Sequence, residues 1–323
     1  MILAGDVGGT KVFLAYYENE KCITTKRYKS KEFSQFASLL SQFLEETKIP
    51  RVKAACFGVA GPAKDNVCRA TNLPWSLDAQ ELSKVLKTPN VFLINDVEAN
   101  AWGIACLSKE EFCVLNQGTP SSRGNQALIS AGTGLGEAGL VWDGTKYHPF
   151  ACEGGHVDFG PRNALEIELL SYLQAQYNHV SYERIISGKG LYLLYRFLVD
   201  TGKEKADPAI EATKELEPQK EITKRAMEER EGACAKAISF FVTIYGAEAG
   251  NLALKFLSTG GLFLGGGIVP NILPFFQHPN FLEAFTAKGR FSQLLQEIPV
   301  KVVLNDQTAL LGAKRYAQEK GGL

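Results

Sequence analysis

An α/β fold with mixed sheets is what the sequence predicts, and three observations predict it. Apolar strand-like runs alternate with helical patterns through the first third of the chain. Glycine-rich turns follow several of those runs. The end of the chain then repeats a pattern first seen near residue 95.

In chain order, Ile2 and Leu3 read as strand and Val12 to Tyr17 as a second strand. The two are close enough to pair as a hairpin around Gly8-Gly9-Thr10. "SQFASLLSQFLEET" (34–47) puts Phe36, Leu39, Leu40, Phe43 and Leu44 on one helical face, with Ser34 as N-cap. "RVKAACFGVAG" (51–61) is a strand ending at Gly61-Pro62, "NVFLIND" (90–96) is another, and a helix over 98–107 starts directly after it. Glycine-punctuated strands fill 125–161. The charge-dense stretch 200–231 reads as solvated helix and loop, and 233–257, apolar nearly all round, as a buried helix. "GLFLGGGIVPNIL" (261–273) is a strand, a triple-glycine turn and a helix start, and 300–320 closes with strand then helix.

Two echoes suggest a duplicated architecture. Asn95-Asp96-x-x-Ala99 recurs as Asn305-Asp306-x-x-Ala309, each opening a helix after a buried strand. Asp6-x-Gly8-Gly9-Thr10 has its counterpart in Gly132-Thr133-Gly134-Leu135-Gly136. The expected division is a small domain over 1–106, completed by 299–323, and a large one over 107–298.

Composition narrows the function. A formal net charge of +0 gives no reason to expect nucleic acid or an anionic membrane as partner. Seven scattered cysteines without CxxC spacing predict free thiols and a reducing, cytoplasmic setting, not a disulfide frame or zinc site. No basic n-region precedes an apolar stretch, and no window is expected to reach a membrane span.

The two glycine turns carry the first chemical signal. Backbone N–H groups bind phosphate oxygens where no Cβ blocks the approach, and each turn adds a threonine hydroxyl. Each alone also reads as an ordinary β-turn. No GxxxxGK loop followed by Ser or Thr occurs, and GTGLG leads into a returning strand rather than a dinucleotide-binding helix. Asp6, at the rim of the first turn, would repel a triphosphate unless Mg²⁺ lay between them, directly or through water; its other reading is a turn cap. Gly265-Gly266-Gly267 suits close approach to an adenosine. Asp96, at the end of a buried strand, is placed to take the proton of an attacking hydroxyl, or else caps the helix that follows. "CEGGHVDFGP" (152–161) sets Glu153 and His156 around two glycines, so that both can turn toward one polyol. Cys152, Glu153 and His156 lack a fourth ligand for a metal. Glu183 opens a helical pattern that Ser181 can cap.

The order DVGGTK, AGP, LINDVEANAWG, GTGLG, EGGHVDF, ERIISGKGL, GGGI and NDQTALLGA resembles bacterial glucokinases. These belong to the superfamily of sugar kinases, heat-shock chaperones and actin, and the resemblance runs from residue 3 to about 317. It implies two ribonuclease-H-like (actin-like ATPase) domains flanking a cleft, a homodimer, and ATP-dependent phosphorylation of the glucose 6-hydroxyl. By matching position, Asp96 is the implied base, and Asn95, Glu153, His156, Glu183 and, from "ATNLPW", Asn72 are the implied sugar contacts. Asp6, Gly8, Gly9, Thr10, Lys11, Gly132, Thr133, Gly134, Gly265 and Gly266 take the ATP side, with Mg²⁺ at Asp6 through water. The CxCGxxGCxE zinc motif of the related repressor and kinase branch is unmatched, and no helix-turn-helix pattern precedes residue 3. Glu137, after GTGLG, stands where that family usually has a small apolar residue. A carboxylate beside the γ-phosphate would raise nucleotide KM unless its side chain points away. A kinase for another hexose or N-acetylhexosamine is one alternative reading. A nucleotide-driven actin- or chaperone-like ATPase is the other, and it leaves Glu153, His156 and Glu183 without a role.

Overall fold

Strand β1 (Ile2–Val7) is buried on both faces, and its side chains sort by parity. The computed structural model describes residues 1–70, 73–119, 121, 123–213 and 217–323. In it the chain divides into two compact units: Met1–Glu111 with Pro149–Ala151 and Asn305–Leu323, and Phe112–His148 with Cys152–Leu304.

The first unit is built on β1, β2 (Lys11–Glu18), β3 (Lys21–Lys29), β4 (Ala54–Val59) and, after three short strands β5 (Ala63–Lys64), β6 (Val67–Arg69) and β7 (Ser76–Asp78), β8 (Val91–Asn95). The main sheet has the order β3-β2-β1-β4-β8. β1 runs antiparallel to β2 and parallel to β4, which runs parallel to β8. Leu3 and Val7 of β1 pack with helices α1 (Phe36–Thr47) and α2 (Ala79–Leu86). Ile2 and Ala4 pack on the other face with α3 (Asp96–Ile104) and the C-terminal helix Thr308–Lys320. By the same parity Asp6 belongs to the α3 side. The first helix starts at Phe36, with Gln35 rather than Ser34 at its N-cap and no side-chain cap bond. The buried face Phe36, Leu39, Leu40 and Phe43 sets that start, not the polar residue before it.

Small residues bring α3 and the C-terminal helix together. A Cβ on Gly103 would overlap the Thr308 carbonyl, and one on Gly312 would overlap the carbonyl of Ala99. Asp306 is exposed and pairs with Arg27 at 3.1 Å, while Asn305 Oδ1 accepts the Gln307 N–H at 2.7 Å.

The second unit is built on β9 (Phe112–Asn116), β10 (Gln126–Ala131), β11 (Leu135–Trp142), β12 (Tyr147–Cys152), β13 (Gly261–Gly265) and β14 (Val300–Val303), in the order β12-β11-β10-β13-β14-β9. Its central strands repeat the first sheet: a hairpin pair, then two parallel neighbours reached by long connections. Residues 299–323, taken in the sequence as one return to the first domain, divide here. β14 pairs with β13 and β9, and the helix Thr308–Lys320 packs in the first unit.

Helices α4 (Ala164–Gln174), α5 (Tyr182–Ile185), α6 (Gly188–Asp200), α7 (Pro208–Thr213), α8 (Pro218–Glu228) and α9 (Gly232–Phe256) lie between β12 and β13. The α9 helix is long and apolar enough to cross a membrane, against the expectation that no stretch is, but it is mostly buried inside the protein. The charged stretch is less solvated than expected, because Ile210, Ile222 and Ala226 sit fully in the core.

Candidate active site

The first glycine turn joins β1 to β2. The Gly8 N–H donates to the Lys11 carbonyl (3.0 Å), the Ser30 hydroxyl to the Gly8 carbonyl (2.7 Å), and the Ser30 N–H to the Thr10 carbonyl (3.1 Å). Thr10 and Lys11 are exposed. Beside them Asp6 is half-buried, and burial pushes its carboxyl up to about 6.

Where β8 passes into α3, Asn95 rather than Asp96 is the N-cap. Its Oδ1 accepts the N–H groups of Val97 (2.8 Å) and Glu98 (3.2 Å), and its amide donates to the Gly61 carbonyl at 3.2 Å. Asn95 thus has one amide N–H left for a ligand. Asp96 is the first helical residue, and its Oδ1 accepts the Val97 N–H at 3.0 Å. Its backbone is therefore held by the helix start and its carboxylate by that bond, in the positive end of the helix dipole. Asn72 lies outside the described residues.

In the second unit the turn between β10 and β11 carries Gly132, Thr133 and Gly134, closed by the Gly132 N–H donating to the Gly134 carbonyl at 2.9 Å. Gly134 lies against Oε2 of Glu183, so that a Cβ there would push this carboxylate aside. That same oxygen accepts the Leu135 N–H at 3.0 Å. The Gly188 N–H donates to the Gly132 carbonyl at 2.9 Å. So "ERIISGKG" is stitched to the glycine turn at both ends, which periodicity could not reveal. Gly266 (φ +83°) presses on the Ala131 carbonyl at the end of β10, where any Cβ would clash.

Three side chains of this unit converge. His156 Nε2 lies 3.9 Å from Glu153 Oε2, and His156 Nδ1 lies 4.0 Å from Glu183 Oε1. The turn Gly154–His156, which carries His156 and follows Glu153, lies flat on β11, because a Cβ on Gly155 would overlap the Leu135 carbonyl. Ser181 caps α5 by accepting the Arg184 N–H, which fixes Glu183 in the first turn. An open cavity of about 500 Å³ borders His156 and Glu183 and is lined also by Gln176, Tyr177, Asn178, His179, Ser181 and Arg184. That volume lies in the range of small-molecule sites, about 300–1,000 Å³. Tyr177, with the Arg184 guanidinium 4.3 Å over its ring, and His179, 2.9 Å from Asp158, were not singled out in the sequence; they lie on no shared motif.

Two carboxylates and an imidazole beside an open polar cavity form a donor–acceptor set for hydroxyl groups. A family model described as Glucokinase matches residues 3–320. Glucokinase of Nostoc punctiforme is 40% identical over 332 residues, covering 97% of each chain. The crystal structure of glucokinase from an Antarctic psychrotroph superposes with a TM-score of 0.82 at 27% identity, covering 98% of each chain. That of Balamuthia mandrillaris glucokinase in complex with glucose gives 0.84 at 22% identity, over 98% of this chain and 93% of the other. The chain has the actin-like ATPase fold of these kinases. It belongs to the glucokinase family, and its reaction is the ATP-dependent phosphorylation of glucose.

Proposed function

We propose that in this reaction Glu153, His156 and Glu183 hold glucose hydroxyls and Asp96 acts as the base. The observation that carries the reading is the convergence of those three side chains at 3.9 and 4.0 Å beside the cavity. Asp96 takes the proton of the 6-hydroxyl as its oxygen bonds to the γ-phosphorus and the bond to the β-phosphate bridge breaks. Asn95 offers its remaining N–H to the sugar, and Asn72 is a further sugar contact. The turns at Gly8, Gly9, Thr10 and Lys11 and at Gly132, Thr133 and Gly134 hold the phosphates through backbone N–H groups other than those of Gly8 and Gly132, which close the turns, with Gly265 and Gly266 on the adenosine side. The functional domains are taken as 1–106 with the returning C-terminal helix, and 107–298.

Asp6 fits a Mg²⁺ site. Burial disfavours its charged form, and a divalent cation beside it reverses that preference. Mg²⁺ held there through water would neutralise charge on the β- and γ-phosphates. We further propose a cytoplasmic homodimer that feeds glycolysis. Seven cysteines without a disulfide suit a reducing compartment, and exposed Leu165 and Ile167 on α4 suit a partner surface. Sedimentation should give the mass of two chains; a single-chain mass at micromolar concentration would overturn the dimer.

The sugar assignment is tested by Glu153→Gln. Losing a charged hydrogen-bond acceptor costs about 1.5–3 kcal/mol, so glucose KM should rise roughly 10- to 100-fold with a smaller change in kcat. An unchanged KM would show that this loop faces elsewhere.

A further inference from the structure

Glu137 is the buried acid that the mechanism above does not use. It lies on β11 opposite Ile129 of β10, its side chain is 1% exposed, and neither carboxyl oxygen has a hydrogen-bond partner among the described residues. The side chain does not reach out to a nucleotide phosphate. It is buried, with its carboxyl directly beneath Gly154, so close that a Cβ on that glycine would overlap Oε2. Gly154 opens the turn that carries His156, and Glu153 precedes it. With Gly155 against the Leu135 carbonyl, the turn rests on Leu135 and Glu137 of β11, of which only Glu137 can change charge.

We propose that Glu137 is a positioning residue for the sugar site: its uncharged carboxyl is the floor under the Gly154–His156 turn, and its ionisation displaces that turn and weakens glucose binding. The proposal rests on the reading of Glu153 and His156 as sugar contacts. Its physical basis is that an ionised carboxylate without hydrogen bonds or a close cation is not tolerated in a buried site, so the site must open to solvate it. The groups facing Glu137 do not supply that compensation. From α9 come Tyr245, Glu248 and Lys255. Lys255 bonds Glu248 at 3.1 Å, and Asn251 bonds it at 2.7 Å, so the nearest cation is already engaged by another carboxylate. From the end of β12 comes the Cys152 thiol, which donates to the Glu137 main-chain carbonyl at 3.6 Å and is itself pushed up by burial. Burial first, then the charge of Glu248, raises the Glu137 carboxyl to about 8, with Lys255 opposing. It is therefore mostly protonated at neutral pH and ionises just above it.

The test is the glucose dissociation constant of the full chain, measured by titration calorimetry at pH 7 and pH 9. A single linked proton predicts weakening of about tenfold between those values in the parent protein. Glu137→Gln, an isostere of the protonated acid, should abolish the dependence and give a ratio near one; Cys152→Ser should retain it. A parent protein with equal affinity at both values, or a tenfold loss that persists in Glu137→Gln, overturns the proposal. If Glu137→Gln does not fold, Glu137→Met takes its place with the same expected ratio. Unfolding supplies a second readout. The folded pKa lies above the unfolded value, so Glu137 makes stability fall as pH rises from about 4.5 toward 8, and the fall should be smaller in Glu137→Gln. Glu153→Gln at pH 7 separates the two layers. If it leaves glucose affinity untouched, the sugar assignment has failed; if it weakens binding while the pH ratio ignores Glu137, only the role of Glu137 has failed.

Discussion

Replacing Asp96 by Asn is expected to lower kcat by about two orders of magnitude or more, the scale of a positioned general base, with glucose affinity close to that of the parent protein. The substitution is conservative in shape. An amide oxygen can still accept the Val97 N–H that Asp96 Oδ1 now accepts at 3.0 Å, and the cap that starts α3 belongs to Asn95, so the helix and its first turn remain. What disappears is the capacity to take a proton. A neutral amide can hold the 6-hydroxyl but leaves its proton in place, so the loss falls on the chemical step rather than on binding. Steady-state turnover together with direct measurement of glucose binding checks this. Near-normal turnover would remove Asp96 from the mechanism.

The largest expected effect on stability comes from Gly312→Ala. Alanine is the better helix former by about 1 kcal/mol, so on propensity alone the change should stabilise. Packing reverses the sign. The new methyl would overlap the Ala99 carbonyl on α3, which is backbone and cannot rotate away, so the two helices must separate. Overpacking of this kind costs about 1–3 kcal/mol and occasionally more. Next to the contact the helices are lined by Ala99, Ala309 and Ala313, methyl side chains that have no rotamer by which to make room. Urea unfolding followed by the fluorescence of Trp102, buried on α3 and in edge contact with Tyr316, reports on this unit, and its midpoint should fall. An unchanged or raised midpoint would mean that the seam is looser than its geometry requires. Because Asp96 starts the same helix, activity should fall with it.

Local pattern was legible in the sequence where a short stretch decides its own structure. The hairpins around 8–10 and 132–134, the buried face of α1 and the apolar α9 are all set by neighbouring residues. Pairings between residues far apart in the chain were not legible. The placement of β13 beside β10 joins residues more than a hundred positions apart, and the tie from Glu183 to the Leu135 N–H crosses 48. Polar residues misled where backbone geometry chose among neighbours: Asn95, not Asp96, takes the cap of α3. The charged stretch hid three core residues because Ile210, Ile222 and Ala226 stand singly, without a repeating apolar face around them. Within the candidate site, the glycine pair signalled that Glu153 and His156 could converge. Nothing local signalled that Glu137 would lie beneath them.

The packing of residues 308–320 against β1 and β4 has a consequence for biosynthesis. The second unit ends in the chain at Leu304, whereas one face of the first sheet, with Ile2, Ala4, Ala54, Cys56 and Ile94, is covered by α3 alone until that helix is made. On the ribosome β1, β4 and β8 therefore wait, part of that apolar face exposed, while the whole second unit is made, an interval in which holdase chaperones have a hydrophobic target. A transcript interrupted before codon 308 would yield a finished second unit joined to an unfinished first.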